Sequence, residues 1–362
     1  MAAHPTYLFG AKGHMALFGL GKSQKTIGLD VGSGQIKLAV IDHSGGRPTL
    51  AQVAMTPVLS DAIVEGEIMD PGVVADAIRA LFVSAGIKGK RVTAAVGGRD
   101  VIVKKIQVDR MKAADAFDVV RWEAQQYVPF DIEGVELDFQ ILDPEGDGLQ
   151  MDVLLVAAKR ELVENRRSLL TDAGLDPGVM DVDAFALHNA FELNYPEAMQ
   201  GVSALINIGH EVTNVNVIQD GVPLLTRDLN VGTRKFREDL QRERGMSAED
   251  AEALLTGFEQ TDELQQYVQG RGEEIGVGVE RAAAFLQTAS RDAAGIERVY
   301  LCGGGARIPG IANVIAERLR MSVEQANPLQ ALEVKSDAFG PLNVDEVAPL
   351  LMQAIGLALR RA

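Results

Sequence analysis

Cysteine occurs once in the 362 residues, at Cys302, so no internal disulfide can form and a disulfide-stapled secreted domain is excluded. The lone thiol sits on an apolar run and reads as a small buried hydrophobe in a chain suited to a reducing cytoplasm. Aromatics are scarce at 5%, with a single Trp, so Val, Ile, Leu and Ala must build the core. Positive charge is in deficit: 35 Lys and Arg stand against 51 Asp and Glu, a net −16. That balance opposes adsorption to nucleic acid or anionic lipid, and neither is expected as a direct partner. Long apolar runs are missing as well. None reaches the roughly 20 residues that span a bilayer, and residues 348–359 come nearest but are interrupted by Pro349, Gln353 and Gly356. Residues 1–13 lack the continuous apolar stretch of a signal peptide. Residues 1–24 are expected to form a partly disordered leader, with Met15 as an alternative start. His188 and His210 lack metal-ligand spacing and read as structural or solvent-facing.

What the chain does have is glycine at three telling corners. The first is IGLDVGSGQIK, residues 27–37. Residues 26–31 and 36–41 both read as strands, so the glycines turn a β-hairpin rather than open a helix. Gly32 and Gly34 let backbone N–H groups approach phosphate oxygens. Ser33 adds a hydroxyl, Lys37 a point charge, and Asp30 a carboxylate able to hold hydrated Mg²⁺. Most glycine-rich hairpins only turn the chain; an Asp before the turn and a Lys after it favour phosphate.

The second corner, ALINIGHEVTNV at residues 204–215, repeats the design: an apolar strand, Asn207, a turn at Gly209, and a new strand near Thr213. The third, VYLCGGGA at residues 299–306, runs a buried-type strand into Gly303, Gly304 and Gly305. A helix over 311–318 follows, entered through Pro309-Gly310. Singly these are turns; together, in this order, they form a specific set.

The length exceeds one ordinary core. A third strand is expected over 49–56, a helix over 73–85 opened by Pro71, and a strand over 92–96. Residues 99–179 read as an inserted α+β module in the order β-α-β-β-α, with its helices on one face. In its first helix, over 114–127, Phe117, Val120, Ala124, Tyr127 and Val128 share a core stripe, while Val119 and Trp122 point elsewhere. An exposed Trp there would be a natural interface anchor. A strand near 178–182 and a helix over 184–194 return to the first core. Residues 201–231 carry the second hairpin and a further strand, and 233–294 are helical, with a break at Gly270-Arg271-Gly272. The charged run 234–244 reads as a solvated helix face with pairs such as Glu238–Arg242. A last helix is expected over 344–361.

Two glycine-turned hairpins, a later Gly-Gly-Gly and a terminal Ala-Ile-Gly-Leu-Ala helix resemble the actin-like ATPase superfamily, from Lys25 onward. The resemblance implies an α/β fold of two RNase H-like halves around a nucleotide cleft. It makes 30–37 and 206–213 the phosphate motifs, 301–306 the adenosine motif, and 181–187 and 354–359 the connecting motifs. Within the superfamily, RWEAQQYVPFD at 121–131 resembles the Arg-Trp-Glu…Tyr-Ile-Pro-Phe signature of the PilM family, cytoplasmic assembly proteins of type IV pili and related secretion systems. The insertion is similar to the extra subdomain shared by PilM and FtsA. The implied map is core subdomain 1A over 25–98, 180–200 and 344–362, and inserted 1C over 99–179. Subdomain 2A takes 201–232 and 296–343, and helical 2B takes 233–295.

The resemblance further implies ATP or ADP with Mg²⁺, the cation on Asp30 through water. The nucleotide contacts it implies are Asp30, Gly32, Ser33, Gly34, Gln35, Lys37, Asn207, Gly209, Gly232, Glu249, Gly303, Gly304 and Gly305. Asp183 is its candidate for orienting water, against a plain role as a helix cap at Ala184. The implied partner is the N-terminal cytoplasmic segment of PilN, in a groove between 1C and the neighbouring core, which would hold the chain peripherally at the inner membrane. Other pilus platform proteins, the pilus motor ATPases and self-association complete the implied partners.

The pattern departs from the superfamily at two places. Asn207 stands where the second phosphate motif usually carries Asp, which weakens water-mediated Mg²⁺ binding and the orientation of attacking water. Glu252 stands where a Lys contacting adenosine is expected. Both point to slow or absent hydrolysis. The favoured reading is an ATP-binding adaptor. The alternatives are an FtsA-like division protein, against which the end at Leu359-Arg360-Arg361-Ala362 counts, a sugar-kinase-branch phosphotransferase, and a scaffold that no longer takes nucleotide.

Overall fold

The computed structural model describes residues 24–360 apart from Ala114, 258–260 and 290–294. The expected leader therefore lies outside the described residues except for Gln24. Strands β1 (Lys25–Val31), β2 (Gln35–Asp42) and β3 (Thr49–Pro57) form an antiparallel meander. A small hairpin of β4 (Ile63–Val64) and β5 (Glu67–Ile68) follows. Helix α1 (Pro71–Ser84) begins where Pro71 supplies a helical φ and the Asp70 carboxylate accepts from the Val73 N–H. After β6 (Arg91–Val96) come β7 (Val101–Asp109), α2 (Ala116–Ala124), β8 (Val135–Ile141), β9 (Gln150–Lys159) and α3 (Arg160–Asp172). Strand β10 (Asp176–Val182) and α4 (Asp183–Asn194) complete the first half.

The second half opens with another antiparallel meander, β11 (Val202–Ile208), β12 (Thr213–Gln219) and β13 (Val222–Leu229). Three helices follow: α5 (Thr233–Arg244), α6 (Ala248–Thr256) and α7 (Asp262–Ala289). Then come β14 (Arg298–Cys302), α8 (Ile311–Leu319), β15 (Val323–Gln325), β16 (Glu333–Val334), α9 (Val344–Val347) and α10 (Met352–Leu359).

The first sheet has the order β10-β6-β1-β2-β3-β16 and the second β13-β12-β11-β14-β15. In each, a meander is extended by parallel strands, which need crossover helices to cover them. Side chains of α1 and α3, among them Ile78, Val163 and Leu170, cover one face of the first sheet. Residues of α5, α7 and α8 cover the outer face of the second. Between the halves, α4 and α10 bury Phe191, Leu187, Met352 and Ile355 against both sheets. The few aromatics gather here: Phe191, Tyr195 and Tyr300 have ring centroids 4.8–5.2 Å apart. Helix α10 rides unusually close, because a Cβ at Gly356 would collide with the Ala186 carbonyl and one at Gly28 with that of Ala354. Both positions require glycine.

A third sheet, β7-β9-β8, is the inserted module. Its Val153, Leu155 and Ala157 face α2, while Leu154 and Val156 on the other side meet Val182 and Phe185. The expected pair of helices on one face is not what forms. Only α2 covers this sheet's core, because Val163, Leu169 and Leu170 place α3 in the first half's core with α1. Helix α2 is also shorter than 114–127, and Phe117 is exposed rather than part of the buried stripe of Ala116, Val120 and Ala124.

The break predicted at Gly270-Arg271-Gly272 does not exist: α7 runs through it. Close packing explains Gly272 and Gly276, where a Cβ would press on Val314 and Arg318 of α8, whereas Gly270 faces open space. The C-terminal helix is interrupted by a 3₁₀ turn over Ala348–Leu351, where Pro349 lacks the amide proton a continuous helix needs.

Candidate functional site

Hairpin register decides what each half presents to the other. Asp30 lies directly across from Lys37 on β1 and β2, and the Lys37 ammonium bonds the Asp30 carboxylate. Asp30 is 6% exposed, so this is a largely desolvated ion pair. In the second half Asn207 lies across from Asn214, which lies across from Asp228. The Asn207 amide donates to Asn214 Oδ1 at 3.1 Å, and the Asn214 amide to Asp228 Oδ1 at 2.6 Å. A row of three polar side chains thus runs across β11, β12 and β13. Burial pushes the Asp228 carboxyl above its ordinary range, against the lowering effect of the Asn214 bond.

These two rows line one cavity of about 680 Å³ between the halves. Of the residues singled out from sequence, Asp30, Gly32, Ser33, Gly34, Gln35, Lys37, Asp183, Asn207, Gly209, Gly303 and Gly304 line it. The three glycine corners therefore meet at a single space. The two hairpin turns touch: a Cβ at Gly34 would stand 2.8 Å from the His210 ring. His210 is itself a lining residue, hydrogen-bonded through Nδ1 to Thr233 Oγ1 at 3.2 Å, rather than solvent-facing. Burial, with Arg237 nearby, holds its imidazole below the usual range.

Three expected contacts stand outside the lining. Gly232 packs behind the second turn, where a Cβ would meet the His210 carbonyl. Gly305 is buried against the Ile208 side chain. Glu249 lies exposed in the first turn of α6, and one turn later Glu252 reaches the cavity instead, 3.8 Å from Arg237. Glu249 and Glu252 share one face of α6, and of the two only Glu252, one turn further along, lies on the cavity.

Asp183 begins α4 at the cavity floor. Its Oδ1 accepts from the Gln353 amide at 2.8 Å, and Gly97 leaves room where a Cβ would overlap its carboxylate. Burial, reinforced by the Asp30 charge and partly offset by Arg166, pushes its pKa up to about 7. It is not a side-chain cap of α4, whose N-cap is Val182.

Sequence reasoning missed several lining residues. Asp228 is one, and the signal was available in the register of the second meander. Arg234, Arg237, Glu238 and Gln241 are others: the charged face of α5 borders the cavity rather than bulk water alone. Arg234 pairs with Glu238 and Glu211 at 2.8 Å each and with Asp61 at 3.1 Å, while the Glu65 N–H donates to Glu211. The β4–β5 hairpin of the first half is thereby tied to α5 of the second. Arg242, expected to pair with Glu238, bonds Asp239 and Glu243 instead. Cys302, whose thiol burial pushes up, donates to the side-chain Oδ1 of Asn207 and lies in the core, as its apolar strand implied.

Known proteins share this architecture. The PilM-PilN type IV pilus biogenesis complex contains a chain that superimposes with a TM-score of 0.80 at 30% identity, over 92% of this chain and 98% of that one. The ethanolamine utilization protein EutJ of Carboxydothermus hydrogenoformans matches with a TM-score of 0.57 at 18% identity over 94% and 91%, a likeness of fold alone. The cell division protein FtsA of Bacillus subtilis (strain 168) is 23% identical over 354 residues, 83% of this chain and 78% of FtsA. The fold is thus the actin-like ATPase fold, and the FtsA-like and sugar-kinase alternatives are not favoured. The model of one family, type IV pilus assembly protein PilM, matches residues 28–362, and with the two hairpins, the inserted sheet and the shared cleft in view, the chain belongs to that family.

Proposed function

We propose that this chain binds ATP or ADP with Mg²⁺ in the interdomain cavity and acts as an adaptor in type IV pilus assembly, its output being an assembly rather than a converted metabolite. The observation that carries the reading is the meeting of the turns at 32–35, 209–212 and 303–304 on one cavity, beside the Asp30–Lys37 pair. Glycine turns offer backbone N–H groups to phosphate, and Lys37 adds charge at their base. Among the described residues no three His, Cys, Asp or Glu side chains are close enough to hold a metal. Mg²⁺ would therefore be carried by phosphate oxygens and water, with Asp30 as the anchoring carboxylate and Asp228 facing the same space.

Hydrolysis is expected to be slow or absent. Position 207 supplies a neutral amide, one N–H of which is given to Asn214, so it brings no negative charge to polarise a water. Asp183, the candidate for that task, has its carboxyl pushed up to about 7 by burial and already accepts from Gln353.

The partner reading rests on the likeness to the PilM-PilN complex. A PilN-type N-terminal cytoplasmic segment would bind between the inserted sheet and the first core and hold the chain at the inner membrane; among the described residues no helix is long and apolar enough to cross one. Trp122, 63% exposed on α2, offers a rigid apolar anchor on the inserted module. Pilus platform proteins, motor ATPases and a second copy of the chain are further candidates. Calorimetry tests the reading: saturable Mg·ATP binding, lost in Lys37→Ala, is expected, and no heat from wild type at high micromolar ATP would refute it.

A further inference from the structure

Five cationic side chains besides Lys37 line the cavity, and three are already paired: Arg99 with Glu67, Arg234 with three carboxylates, and Arg237 with Glu252. Arg307 donates to the Glu346 carbonyl. Arg307, too, has an unpartnered Nε and no carboxylate at ion-pair distance among the described residues, but it is only half-buried; Arg166, on α3, is the more deeply buried. It is 8% exposed, has no carboxylate at ion-pair distance among the described residues, and leaves its Nε without a partner. One long bond, 3.5 Å from Nη1 to the Val31 carbonyl, places it where β1 runs into the Gly32–Gln35 turn. The negative charges that act on it are Asp183 and Asp30, on the same side of the cavity, and burial outweighs them in pulling its pKa down. A buried guanidinium without a bonded anion is costly, and a planar fork of donors fits a phosphoryl group.

We infer that Arg166 is a specificity residue that pairs with the terminal phosphate of a bound nucleoside triphosphate and distinguishes it from the diphosphate. The inference rests on the nucleotide reading above and adds to it. With the base toward the Gly303–Gly304 corner and the phosphates along the Gly32–Gly34 turn, the last phosphate comes to the corner of Asp30, Asp183 and Arg166. An entering anion would supply the counter-charge Arg166 lacks. Helix α3 starts at the residue after β9 ends and packs with α1. Engagement of Arg166 therefore reaches the inserted sheet through one continuous stretch of chain.

The test is affinity for Mg·ATP and Mg·ADP, measured on the full chain as wild type and as Arg166→Met and Arg166→Lys, alongside the melting temperature without nucleotide. Wild type is expected to prefer ATP by about tenfold or more. Arg166→Met is expected to lose that preference through weaker ATP binding, and Arg166→Lys to keep part of it. Without nucleotide, Arg166→Met should melt at or above wild type, because an uncompensated buried charge has gone. An ATP preference retained in Arg166→Met, an equal loss of both nucleotides, or a lowered melting temperature would overturn the inference and make Arg166 structural. Equal binding of both nucleotides by wild type would overturn it while leaving the nucleotide reading intact; binding of neither would overturn that reading as well.

Discussion

In the first half Asp30 faces Lys37 across β1 and β2; in the second, Asn207 faces Asn214 across β11 and β12, at the sixth residue of a seven-residue strand in both cases. The backbones repeat and the chemistry does not. One half presents an ion pair, the other a pair of amides, with the second half's acid displaced one further strand outward to Asp228. A duplicated hairpin thus fixes where side chains meet the cleft, while residue type alone decides whether that place holds phosphate, cation or neither. The asymmetry puts a lysine–aspartate pair on the first half's side of the cleft and an amide row ending in Asp228 on the second's.

The comparison breaks most sharply at Lys37. Lys37→Ala leaves Asp30 desolvated and alone, and is expected to cost about 3 kcal/mol or more in urea unfolding; a cost below about 1 kcal/mol would make the pair no more than a surface contact. Asn207→Asp would make the halves alike. Its carboxylate would face Asn214 Oδ1, and turning Asn214 would forfeit the bond to Asp228, so a loss of about 1–3 kcal/mol is expected. The same variant should raise Mg·ATP turnover, measured by phosphate release, if the missing acid is what keeps hydrolysis slow.

Protonation sharpens the contrast further. Asp183 is raised from 3.8 to about 7 in the folded chain, so between those values the native state holds a proton that the unfolded chain has released. Its contribution to stability is present below about pH 4 and is lost as pH rises toward 7. Asp183→Asn keeps an acceptor for Gln353 and removes the titration, so stability measured between pH 4.5 and 7.5 (roughly the span of the shift) should fall less with pH than in wild type. Arg234→Ala cuts the tie between the β4–β5 hairpin and α5 and strands the largely buried Glu211 carboxylate; about 1 kcal/mol is expected, with faster amide exchange at 61–66. Trp122→Ala should move stability by less than about 0.5 kcal/mol, because the ring is exposed, while weakening capture of a PilN-type segment.

Much of this was legible in the sequence because its signals are local. Both meanders, the three glycine corners and the inserted module's strands follow from period-two apolar runs bounded by turn residues. What stayed hidden depends on the far side of a contact. Gly272 looks like part of a helix break until α8 lies against it, and α3 looks like part of the insertion until its apolar face meets α1. The two-residue strands β4, β5 and β16 are too short to show a period. At the site, Asp30, Lys37 and the turns carried their own chemistry, whereas Arg166, Asp228 and Arg234 matter only through where α3, β13 and α5 bring them.

The central claim is that the corners at Asp30, Asn207 and Gly303 form one nucleotide site. A crystal structure grown with Mg²⁺ and a non-hydrolysable ATP analogue tests it most directly. The account predicts phosphate density between the Gly32–Gln35 and Gly209–Val212 turns and base density beside Gly303–Gly304, with the Arg166 guanidinium on the last phosphate. Analogue bound elsewhere on the molecule, or a cavity still empty at saturating analogue, would contradict it.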